Sequence, residues 1–289
     1  VPSLYSEIHH LDCGRLRMLG GGLIDGHSHG LRAPLTCHVI VRKNVDGTLT
    51  LVDAGPGQRA VTERDAWLGG GWSFVFSPEP DPELTAIAQI RRLGFDPAAV
   101  TDVVITHLDL DHAGGLADFP DARVWVNRRE FEAQLNPRNA GDRGRYRPIQ
   151  FEHHPRWQLF DIPVTGGQDW FGFPAMPLEA VPGIWVVSLP GHSAGHTGVA
   201  VENGDDTWTL HAGDAYYLAE QMDVRGPRRT PGIALFEWFG CDDPLLRVET
   251  QARLLWLKRD HGHRVEVVNS HSMAELTPYL LSPAVAGLL

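Results

Sequence analysis

The chain has 289 residues, 43% of them hydrophobic and 21% charged, with a formal net charge of -11. That length supports a sizeable core and the composition excludes a disordered chain. The acidic balance argues against nucleic acid as a partner, because phosphates require a basic footprint.

Cys13, Cys37 and Cys241 are odd in number and share no C-x-x-C spacing. They fit neither a disulfide framework nor a zinc knuckle and read as reduced thiols of a cytoplasmic protein. No apolar run reaches about 18 residues, so no membrane partner is expected. Val1-Pro2-Ser3-Leu4-Tyr5 lacks the basic and then apolar pattern of a secretory signal.

Asp25-Gly26-His27-Ser28-His29 has the D-x-H-x-H spacing that opens amidohydrolase metal sites. The chain lacks the eight alternating strands and helices of such a barrel. His27 and His29 therefore read as loop residues near a pocket rim. Residues 36–53 hold two β-rich runs joined across Asn44-Val45-Asp46-Gly47, a hairpin signal. Asp53 ends the second run, placed to orient a ligand histidine by a hydrogen bond. Residues 65–80 read as an aromatic loop (Trp67, Trp72, Phe74, Phe76) that suits an apolar pocket wall. Residues 82–92 have helical spacing and stop before Gly94.

The strand at residues 102–106 runs into Thr106-His107-Leu108-Asp109-Leu110-Asp111-His112-Ala113-Gly114-Gly115, where four candidate metal ligands fall within six residues. A short helix at 116–119, a strand at 123–126 and a helix at 128–135 follow. Residues 136–158 are rich in Asn, Arg, Gly, Pro and His and read as a lid or insertion over a pocket. A strand at 185–189 ends at Pro190-Gly191-His192, with His196 supporting that loop. Residues 198–201 and 207–211 pair and lead to Asp214. After a helix at 244–260, the strand at 265–268 ends at His271. Asp53, His107, His192, Asp214 and His271 thus all sit at strand ends, which suggests stacked sheets with flanking helices and chemistry at one rim. Leu280-Leu281 and Leu288-Leu289 suit packing or an interface.

His107-x-Asp109-x-Asp111-His112, then His192, Asp214 and His271, with Leu51-Val52-Asp53-Ala54-Gly55 upstream, resembles the metallo-β-lactamase fold superfamily. Asp111-His112-Ala113-Gly114-Gly115, Pro190-Gly191-His192-Ser193-Ala194-Gly195-His196 and Tyr217 are similar in style to the N-acyl-homoserine lactonases. The resemblance implies a single α/β domain over residues 1–289, an αββα sandwich of two mixed sheets flanked by helices. It implies two divalent ions, zinc first. His107, Asp109 and His192 would hold one, Asp111, His112 and His271 the other, and Asp214 would bridge.

The implied activity is hydrolysis of a small-molecule lactone or carboxylic ester by activated water, an acyl-homoserine lactone (quorum quenching) included. Tyr217 would approach the substrate carbonyl, and Asp111 or Asp214 would carry the proton. Aromatics at 67–76 and at Trp170, Phe171 and Phe173 would receive an acyl portion. Other esters, phosphotriesters or β-lactams remain open as substrates, as do a di-iron redox protein, a non-catalytic metal binder, and a monomer or homodimer.

One residue departs from the family's H-x-H-x-D-H. Asp109 stands where the second histidine belongs. A third carboxylate makes the centre less positive and a weaker Lewis acid, and its harder oxygen favours iron or manganese.

Overall fold

The structure is a computed structural model that describes residues 5–163 and 168–281. The N-terminal Val1-Pro2-Ser3-Leu4 and the Leu288-Leu289 pair lie outside them. Among the described residues, twelve strands form two six-stranded sheets. The first contains β1 (Tyr5–Leu19), β2 (Arg32–Asn44), β3 (Leu49–Val52), β4 (Val100–Val104), β5 (Arg123–Asn127) and β6 (Arg156–Phe160), in that order. The second contains β7 (Gln168–Trp170), β8 (Phe173–Pro177), β9 (Ile184–Ser188), β10 (Thr197–Gly204), β11 (Thr207–His211) and β12 (Val265–Val268).

Both sheets are mixed. β1, β2 and β3 are antiparallel neighbours, whereas β3 to β6 run parallel. In the second sheet β11 and β12 are parallel and the other pairs antiparallel. Parallel neighbours need long crossovers, which here contain helices. The helix Ala86–Arg92 lies between β3 and β4, Arg128–Leu135 between β5 and β6, and Pro244–His261 between β11 and β12.

Period-two side-chain alternation sorts the core into layers. On β2, Val39 and Val41 face Ala86, Ile87 and Ile90 of the outer helix, while Ile40 faces the other sheet. Leu51 and Val103 follow the first pattern, Val52 and Val104 the second. On β9 and β10, Val186, Val199 and Val201 meet Ile40 and Val52, whereas Val187 and Ala200 meet Leu254 and Leu257 of the helix Pro244–His261. The result is the αββα order.

Three expectations need correction. Residues 65–80 are largely helical, with turns at Arg64–Leu68 and Gly70–Phe76 on either side of Gly69. Gly69, at φ 85°, ends one turn and opens the next, so the glycine run disguised two helices as a loop. Trp67 is fully buried, its indole N–H donating to the Pro56 carbonyl at 3.2 Å. Trp170 and Phe173 belong to the core between the second sheet and the helix Pro244–His261. They sit on the β7–β8 edge of that sheet and reach no cavity at the strand-end rim. Residues 136–158, expected as a lid or insertion over a pocket, do line the rim cavity at Asn139, Gly141 and Arg145, but they are less peripheral than their polarity suggests. Tyr146 and Phe151 are buried in the first core, and Arg156 opens β6.

Gly114 and Gly115 let the loop after β4 lie against the loop after β3. Gly115 N–H donates to the Gly55 carbonyl at 2.7 Å, and a Cβ at Gly115 would overlap the Ala54 carbonyl oxygen. Backbone fills that space and cannot yield as a side-chain tip does. Gly115→Ala is therefore expected to cost about 2 kcal/mol or more in urea unfolding. An unchanged midpoint would contradict this packing.

Candidate metal centre

Five strands end on the same rim and deliver the candidate ligands. Parallel β3 and β4 bring Asp53 and the His107–His112 loop to adjacent positions. Parallel β11 and β12 do the same for Asp214 and His271. β9 ends at Ser188, four residues before His192. Backbone bonds join the two sheets here, from Thr197 N–H to the Thr106 carbonyl at 3.0 Å and from His38 N–H to the Ser270 carbonyl at 2.9 Å.

The side chains form two adjoining groups. His107, Asp109, His192 and Asp214 make one, and Asp111, His112 and His271 the other. Asp214 lies between them. Its Oδ2 is 3.9 Å from His107 Nε2 and 3.7 Å from His192 Nε2, and its Oδ1 is 3.2 Å from both His112 Nε2 and His271 Nε2. Asp109 Oδ2 is 3.1 Å from His192 Nε2 and 3.4 Å from His107 Nε2. Asp111 Oδ2 is 3.7 Å from His271 Nε2.

The second nitrogen of most of these rings is already engaged. His112 Nδ1 meets Asp53 Oδ2 at 2.8 Å, His271 Nδ1 the Thr36 carbonyl at 2.8 Å, and His107 Nδ1 the Thr106 hydroxyl at 3.0 Å. Each Nε2 is thereby turned inward. His107 Nε2, His112 Nε2 and Asp214 Oδ1 are buried and make no hydrogen bond among the described residues. Buried lone pairs converging on one another are costly unless cations lie between them. Imidazole nitrogens and carboxylate oxygens are suitable donors for zinc and similar divalent ions.

The charges answer one another. Burial would push Asp214 up, but His271 and His112 hold its carboxyl well below the usual range. Burial would push His112 down, yet Asp214, Asp111 and Asp53 hold it well above the ordinary imidazole value. Asp111 is raised, chiefly by burial.

Asp53 supports this arrangement. At φ 60° it occupies the left-handed region, and its carboxylate accepts from Thr106 N–H at 2.7 Å and the Thr106 hydroxyl at 2.9 Å as well as from His112. His196 Nδ1 donates to the Leu189 carbonyl at 2.7 Å, leaving Nε2 to accept from Asp214 N–H at 3.0 Å. His196 thus holds the backbone of Asp214. Tyr217 stacks on His271 with ring centroids 5.3 Å apart, and its hydroxyl is 3.4 Å from His192 Nδ1. Tyr216 points away into the core, toward Glu275 at 2.9 Å. His27 and His29 are exposed and stand off the cavity. In their motif Asp25 closes a turn by accepting from His27 N–H and Ser28 N–H at 2.9 and 2.8 Å.

Two contributors were missed in the sequence. Glu130, fully buried, accepts from Leu108 N–H at 3.1 Å, Gly195 N–H at 2.8 Å, the Ser193 hydroxyl at 2.7 Å and the Tyr146 hydroxyl at 3.1 Å. It ties the His107–Asp109 loop to the His192 loop. Its only sequence signal was an acidic residue in the first turn of a helix. Arg145 ends the helix Ala140–Arg145, with Nη1 3.0 Å from Asp109 Oδ1 and 3.1 Å from His192 Nε2. Burial and this guanidinium push His192 down to about 3. Burial would raise Asp109, but Arg145 and His107 hold it well below the carboxylate range.

A family profile described as the metallo-beta-lactamase superfamily matches residues 34–265. A probable metallo-hydrolase of Mycobacterium tuberculosis is 34% identical over 269 residues, covering 92% of this chain and 80% of that protein. An N-acyl homoserine lactonase of Azorhizobium caulinodans is 33% identical over 175 residues, which is 60% of this chain and 63% of the lactonase. A solved N-acyl homoserine lactone hydrolase, with N-hexanoyl-L-homoserine bound at its catalytic metal centre, superposes with a TM-score of 0.68 at 20% identity. That match covers 96% of this chain and 97% of the other, and shows a shared fold.

Removing an outer carboxylate that orients a ligand imidazole characteristically costs about 10- to 100-fold in metal affinity. Asp53→Ala is expected to show that loss in a competition titration against a chromophoric chelator. Unchanged affinity would contradict the orienting role.

Proposed function

The chain belongs to the metallo-β-lactamase superfamily, and from that premise we propose that it is a dinuclear-metal hydrolase of lactones or carboxylic esters, with an N-acyl homoserine lactone as first candidate substrate. Membership of the family and the clustered His and Asp side chains make it a metallo-hydrolase. The lactone reading is supported by the lactonase relatives and, above all, by the cavity over the clusters.

That cavity is about 440 Å³. Asp109, Asp111, His192, Asp214 and His271 line it together with Asn139, Arg145 and Asp242, and Trp72, Val75, Phe76, Phe236 and Phe239 add apolar surface. That mixed lining suits a substrate that combines a carbonyl with an acyl chain. A cation pair in the two ligand groups would supply Lewis acidity and lower the pKa of water.

The side chains take the remaining roles. Tyr217, buried and lining the cavity, has a phenol that burial and Asp214 keep well above its ordinary pKa. It stays protonated and donates to the carbonyl oxygen as negative charge develops there. Asp111, which lines the cavity beside His271, accepts the proton released by the attacking water and returns it to the leaving alkoxide oxygen. His196 and Asp53 hold Asp214 and His112 in register.

The metal-loaded protein should turn over an N-hexanoyl homoserine lactone or an aryl ester faster than a phosphotriester or a β-lactam. A strong chelator should abolish that turnover, and added zinc should restore it. Absence of turnover on every lactone and ester tested would overturn the reading. Tyr217→Phe should lower kcat by about 10²-fold with KM nearly unchanged, the pattern for a donor used in the transition state. A Phe variant with wild-type kcat would remove Tyr217 from the mechanism.

A further inference from the structure

Asp109 differs from the other carboxylates at the centre in having a cation at its back. Its Oδ2 faces the imidazoles of His107 and His192, while its Oδ1 faces Arg145 Nη1 at 3.0 Å. The guanidinium is held in place, because Nη2 donates to the Gly240 carbonyl at 2.6 Å and the side chain is only 12% exposed. It therefore stays beside the first ligand group as a fixed charge.

We infer that Asp109 and Arg145 act as one unit that replaces a neutral histidine in the first metal site. The carboxylate offers one oxygen to the ion, while the guanidinium pairs with the other oxygen and cancels its charge. Asp109, Asp111, Asp214 and Arg145 together carry the same net charge as Asp111 and Asp214 alone. The centre then keeps the Lewis acidity of a two-carboxylate site, contrary to the expectation drawn from Asp109 by itself. The arrangement also has a cost: without Asp109, an uncompensated guanidinium stands against the ion's ligands and repels the ion.

This inference rests on the metal-centre reading, and a zinc titration separates the two. Affinity is measured by chelator competition on the full chain for wild type, Asp109→His, Asp109→His/Arg145→Gln and Asp109→His/Arg145→Lys. Removing the stranded charge should make Asp109→His/Arg145→Gln bind zinc at least about tenfold more tightly than Asp109→His, a modest figure for a unit charge beside a divalent ion. The lysine version keeps the charge and should remain as weak as Asp109→His. A glutamine double variant no tighter than Asp109→His, or an equal rescue by lysine, would overturn the charge-pair inference. A wild type that takes up no zinc would overturn the metal-centre reading itself.

Discussion

The physical constraint at the heart of this protein is a buried convergence of electron pairs. Imidazole nitrogens and carboxylate oxygens face one another at the rim of a sandwich, with Asp214 presenting an oxygen to each side. Without cations, such a group depends on protons held by its imidazoles, His112 above all, to offset its carboxylates. The fold is arranged to hold it regardless. Two pairs of parallel strands and one antiparallel strand stop at the same level, and the chain turns sharply there. The apolar layers on both faces of each sheet provide the rigidity, and the loops carry the chemistry.

Directly behind the candidate ligands lies a ring of buried polar groups that leaves little freedom. Asp53 binds one loop and the His112 imidazole together. Glu130 binds two further loops, and His196 fixes the backbone of Asp214. Each sits in a dry environment where a lost partner leaves an uncompensated acceptor or donor. This layer explains how irregular loops hold atoms to the tolerance a metal centre requires. Arg145 adds an electrostatic element to it, setting the charge of the first ligand group from outside that group.

Much of the architecture was legible from pattern alone. The strands at the hairpin, before His107 and before His271 showed as short apolar runs ending in a polar residue, and their order pointed to the ligand groups. What escaped did so for physical reasons. β1 was invisible because its alternation breaks between Asp12 and Arg15, where the pairing register shifts beside Gly14. The helix Pro231–Gly240 is apolar nearly all round, with Leu235, Trp238 and Phe239 exposed, and so lacks a clear amphipathic period. Trp170 and Phe173 looked like pocket wall because aromatic content does not reveal which edge of a sheet it occupies. Arg145 stands in a stretch of polar residues that reads as surface. Its pairing with Asp109 is created by tertiary placement, which no local spacing encodes.

The central claim is that the two ligand groups form one centre for two cations that share Asp214. Anomalous scattering from crystals of the wild-type protein grown with zinc tests it most directly. The account predicts two peaks, one among His107, Asp109, His192 and Asp214, the other among Asp111, His112, His271 and Asp214. A single peak, or none at either position in zinc-saturated crystals, would contradict it.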